Sequence, residues 1–78
     1  MNDMDIKPGS LKQDKFDLYI ELTNIRSKTV IQGLKMSLVL GLTDDDVIEN
    51  IEGLTSSNYH RGKRAFYKAY EIVRKINE

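Results

Sequence analysis

The chain is 78 residues long, enough for one domain, and it contains no cysteine, so reinforcement by disulfides is excluded. Its 12 basic and 12 acidic residues cancel to a formal net charge of zero, which excludes a uniformly basic surface as a source of affinity for polyanions. With His60 as the single histidine there is no ligand set for zinc, and no apolar run is long enough to cross a membrane.

So short a chain buries only a modest share of its surface, which predicts tight helix packing or self-association as the reinforcement. The neutral total also hides a segregation of charge. Residues 43–53 carry Asp44, Asp45, Asp46, Glu49 and Glu52 with no basic residue among them. Residues 54–75 carry Arg61, Lys63, Arg64, Lys68, Arg74 and Lys75 against Glu71 alone, with His60 alongside. For a charged partner, distribution outranks the sum.

Residues 1–14 are polar, contain Pro8-Gly9-Ser10 and lack helical periodicity, so they are expected to form a flexible N-terminal arm, with the folded domain spanning 15–78. No apolar core of a signal peptide lies in the first ten residues, which points to a cytoplasmic location. In residues 15–24, Phe16, Leu18, Ile20 and Leu22 alternate with polar residues as in a strand, yet Phe16, Tyr19, Ile20 and Thr23 also share one helical face. A lone strand in so small a chain has no partner for its backbone, so a helix is predicted.

Ser27 reads as the N-cap of a second helix, in which Val30, Ile31, Leu34 and Leu38 recur at helical spacing, with Val39 at its edge. Gly41 suits the left-handed turn that ends a helix, and Met36 lies off the apolar stripe. Thr43 opens a short third helix, its hydroxyl within reach of the amide near Asp46 and its three aspartates at the favourable end of the dipole. Val47, Ile48 and Ile51 give that helix a buried side, and Gly53 ends it. Thr55 caps a final helix running to about Ile76, with Tyr59, Phe66, Ala69, Tyr70, Val73 and Ile76 on its apolar stripe and Gly62 and Ala65 at the edge.

Residues 43–66 thus have the layout of a helix-turn-helix: a capped short helix, a glycine-bearing turn with apolar Leu54, and a capped longer helix. Glu52-Gly53 lengthens the usual turn by about one residue. With Tyr59 and Phe66 inward, Ser57, His60, Arg61, Arg64 and Lys68 project outward at spacings of three and four. The candidate DNA-contacting residues are Thr55, Ser56, Ser57, Asn58, His60, Arg61, Lys63, Arg64 and Lys68. Arg61 and Arg64 suit guanine edges or phosphates, Lys63 and Lys68 suit phosphates, and the competing reading is a merely solvated basic face.

The inventory argues against an enzyme. No serine sits in a nucleophile motif, the consecutive aspartates point in different directions, and neither calcium-loop spacing nor a phosphate loop is present. No metal, cofactor or small-molecule ligand is therefore expected.

From Phe16 to about Phe66 the chain resembles the PapB/FocB family of fimbrial (adhesin-biosynthesis) transcription regulators. The likeness rests on Leu22-Thr23-Asn24-Ile25-Arg26-Ser27, Val30-Ile31 with Leu34, and Leu38-Val39-Leu40-Gly41-Leu42-Thr43, continued by Val47 and Tyr59. A weaker likeness, to KorA-type plasmid repressors, rests on Leu38-Val39 and Gly53-Leu54-Thr55. The first resemblance implies an all-α domain, here of four helices, self-associating as a homodimer or larger homo-oligomer on double-stranded, AT-rich DNA to control an adhesin operon at the bacterial nucleoid. Its DNA-facing residues would lie around 55–64. The chain departs from the family pattern at Asp44, Asp45 and Asp46, where basic or polar residues are usual. Those acids and the zero net charge motivate an alternative: a protein-interaction module that antagonises a related regulator by forming mixed oligomers.

Overall fold

The computed structural model describes residues 7–77. Four helices follow in order: α1 (Gln13–Leu22), α2 (Lys28–Leu38), α3 (Asp44–Asn50) and α4 (Ser56–Asn77), with no strand among the described residues. The all-α reading holds, including for α1, whose alternating pattern also suited a strand. Phe16 and Tyr19, three apart and so on one helical face, are the residues of α1 that enter the core.

The caps are local and fall where the sequence places them. The Ser27 hydroxyl accepts from the Val30 amide at 3.4 Å, Thr43 from Asp46 at 3.2 Å and Thr55 from Asn58 at 3.1 Å. Between α3 and α4, Gly53 takes φ 88°, a left-handed conformation that a residue with a Cβ adopts only under strain. The turn then delivers Leu54 into the core, where it is buried.

The N-terminal boundary differs from expectation. Residues 1–6 lie outside the described residues, so the arm predicted there is not addressed by them. Residues 8–11, also read as arm, instead run along the end of α2: the Gly9 amide donates to the Ser37 carbonyl at 2.9 Å and the Leu11 amide to Leu38 at 3.0 Å. Together with the Gly41 and Leu42 amides, which bond Ser37 and Met36, they satisfy last-turn carbonyls that a helix leaves unpaired. Pattern analysis of a polar stretch has no access to such a partner, because backbone donors carry no side-chain signature.

Phe16, Leu34, Leu38, Val47, Tyr59 and Phe66 form the centre of the core, all essentially inaccessible to water. Phe66 stacks on Phe16 at 5.5 Å and meets the edge of Tyr19 at 5.7 Å, and Tyr19 in turn meets Tyr70 at 5.4 Å. Such aromatic pairs contribute about 0.5–1.5 kcal/mol each beyond area burial. The pairings also show that α1 and α4 run side by side in the same direction. α2 crosses α4 at Gly62, where a Cβ would overlap the Val30 side chain, so glycine permits the close approach. Met36 is half-buried against the core. The apolar stripe of α4 outlasts the core: Ile72 and Ile76 are exposed, because the 22-residue helix extends past the elements packed on it.

Candidate nucleic-acid interface

α3, the Gly53 turn and α4 form a helix-turn-helix whose second helix is anchored from below by Tyr59 and Phe66. Asp44, the first residue of α3, ties the two helices together. It accepts from the Tyr59 hydroxyl at 2.7 Å and from the Lys63 ammonium at 2.8 and 3.0 Å. Lys63 lies 5.8 Å from the centre of the Tyr59 ring and 5.7 Å from that of Tyr67.

The electrostatics follow from that contact. Burial pushes the Asp44 carboxyl up, but the hydrogen bonds from Lys63 and Tyr59, with the nearby charges of Lys63 and His60, outweigh it and leave it below its usual value. Burial pushes the Tyr59 phenol up, opposed by a hydrogen bond from Ser37 and reinforced by the Asp44 charge. The phenol therefore stays protonated and keeps donating. One of the three aspartates facing the motif is thus neutralised within the fold, while Asp45 and Asp46 remain exposed.

The nine residues singled out in the sequence fall into two groups. Thr55 caps α4, and His60 Nδ1 lies 2.8 Å from the Ser56 carbonyl oxygen and 3.3 Å from its hydroxyl. A carbonyl only accepts, so Nδ1 carries the proton in that contact and the imidazole leans on the first turn. Lys63 is held by Asp44 in an ion pair at 2.8 Å. These four residues therefore serve local or tertiary structure.

Ser57, Asn58, Arg61, Arg64 and Lys68 are exposed, and among the described residues their side chains make no hydrogen bond or ion pair. They are brought to one helix but not to one patch. Arg61 and Lys68 border a groove against the α1–α2 loop, whereas Arg64 borders a second depression beside His60, Lys63 and Tyr67. Asn24 and Arg26, absent from the sequence-derived set, share the first groove with Arg61. No spacing signal marks them, since only the packing of α1 and α2 on α4 brings that loop alongside.

No protein-family model matches the chain, and no curated protein is similar to it in sequence. Among solved structures, the crystal structure of E. coli FocB is similar to it: TM-score 0.85, with 24% sequence identity over 92% of this chain and 81% of that one. At that identity the likeness concerns architecture. The four-helix arrangement of this chain is the fold of E. coli FocB, the all-α architecture that the PapB/FocB resemblance of residues 16–66 implies.

Proposed function

We propose that the chain is a DNA-binding transcription regulator, of a fimbrial or adhesin operon, that inserts α4 into a groove of double-stranded DNA. One observation carries the reading: Tyr59 and Phe66 are fully buried while Arg61, Arg64 and Lys68, on the opposite side of the same helix, are exposed and unpaired among the described residues. Cations left without partners by the fold are available to phosphates and base edges. The fold shared with FocB accords with the residue resemblance, and it is that resemblance which implies a fimbrial operon, AT-rich target sites and a place at the bacterial nucleoid.

Binding takes place as a homodimer or larger homo-oligomer. Leu18 and Ile76, outside the grooves beside α4, are about half exposed or more, which is costly for a monomer and supports self-association. No described helix is long and apolar enough to cross a membrane. The mechanism is occupancy: subunits placed side by side on DNA exclude or recruit other proteins.

Gel retardation with the chain's own upstream region, at low and moderate salt, tests the proposal. Retardation that weakens steeply with salt, on the order of 0.9 log units per log unit for each phosphate contacted, is expected. Loss of specific binding in Arg61→Ala and Arg64→Ala, with helicity unchanged by circular dichroism, assigns it to α4. A second reading is favoured by the exposed acids Asp45, Asp46 and Glu49 on α3: mixed oligomers with a related regulator, without DNA binding of its own. Absence of retardation at either salt concentration selects it.

A further inference from the structure

A groove of about 580 Å³ separates the α1–α2 loop from one side of α4. Residues 22–27 form one wall, and Asn58, Arg61, Ala65 and Lys68 stand on the other. Among the described residues three cations, Arg26, Arg61 and Lys68, border it, and no carboxylate does. The second depression differs on this point, since Asp44 lies in it and neutralises Lys63.

The groove is graded along its length. Because Tyr19 packs on Phe66 and Tyr70, the end of α1 lies toward the later turns of α4, so Leu22 and Ile72 form an apolar end. Val30 against Gly62 sets the start of α2 beside the earlier turns, so Arg26 and Ser27 lie toward Asn58 and Arg61. The loop is also shaped before any partner arrives. The Thr23 hydroxyl donates to the Ile20 carbonyl at 2.8 Å and accepts from the Ile25 amide at 3.3 Å, which fixes the backbone on either side of Asn24. Arg26 is exposed and makes no ion pair among the described residues.

We infer that the α1–α2 loop is a second nucleic-acid contact, in which Arg26, assisted by Asn24, holds the phosphodiester backbone of a strand lying along the groove opposite Arg61 and Lys68. The inference rests on the DNA-binding reading above and extends it. The argument is charge complementarity: a guanidinium presents paired N–H donors that match phosphate oxygens, and a cleft lined by cations without a carboxylate selects a polyanion. A backbone contact of this kind sets register and affinity without reading sequence.

The test compares Arg26→Ala, Asn24→Ala and Arg26→Lys with the unaltered chain and with Lys15→Ala. Lys15 is exposed on α1, outside the groove, and its loss changes net charge equally. Affinity for the upstream region and for an unrelated duplex is measured over a salt series. Arg26→Ala is expected to weaken both about 5- to 20-fold and to lower the salt slope by about 1. Arg26→Lys should restore the slope and part of the affinity, and Lys15→Ala should change little. Binding by the unaltered chain with Arg26→Ala equal to it, or with Lys15→Ala equally impaired, overturns the loop contact and leaves the α4 reading standing. Unaltered DNA binding with a shifted sedimentation coefficient places a second protein copy in the groove instead, and likewise overturns it. No DNA binding by the unaltered chain overturns both readings.

Discussion

The Tyr59 hydroxyl donates to the Asp44 carboxylate across 2.7 Å, joining the first residue of α3 to the buried anchor of α4. This contact makes the helix-turn-helix a unit, since residues fifteen apart are locked by one charge-assisted bond. It also changes the meaning of the acidic run. Asp44 is a structural partner, which leaves Asp45, Asp46, Glu49 and Glu52 exposed to repel an approaching phosphate.

Tyr59→Phe removes that bond while keeping the ring in place. A stability loss of about 1–2 kcal/mol is expected in urea unfolding, with the helical signal of the folded state unchanged. No change in the urea midpoint would show that the hydroxyl contributes nothing.

The same site sets an acid limit. The folded Asp44 carboxyl titrates below its usual value of 3.8, so its contribution is fully present above that pH and is lost as pH falls through the folded value. The urea midpoint should therefore drop below about pH 3.8, and Asp44→Asn should show a smaller drop over the same interval. Equal acid sensitivity in both chains would assign it to other carboxylates. Asp44→Asn should also release Lys63, raising affinity for nonspecific DNA at low salt.

Gly62→Ala raises the helix propensity of α4 by about 1 kcal/mol. The added Cβ nevertheless overlaps Val30, and overpacking of this kind costs typically 1–3 kcal/mol. The expected result is net destabilisation, relieved by the second substitution Val30→Ala. A double-mutant cycle measures the coupling, and strictly additive effects would place the two side chains out of contact.

Ile76→Asp alters an exposed apolar position near the end of α4, outside the groove. Folding should be unaffected, whereas analytical ultracentrifugation should show a shift toward monomer. DNA should then be bound with lower apparent affinity, because adjacent subunits no longer assist one another. An unchanged sedimentation profile would move the subunit contact to another surface.

The groove and the acidic anchor also show where pattern analysis stops. The sequence by itself determined the helices, because their signals are short-range: a Ser or Thr hydroxyl meets an amide three residues on, and a 3.6-residue period separates Tyr59 and Phe66 from Arg61 and Arg64. Only the tertiary structure decided that Lys63 belongs to Asp44, nineteen residues away, that Gly9 completes the end of α2, and that Arg26 faces the side of α4 that carries Arg61. Such partners are chosen by how helices cross, and crossing depends on side-chain shape summed over the whole core, which no local spacing records.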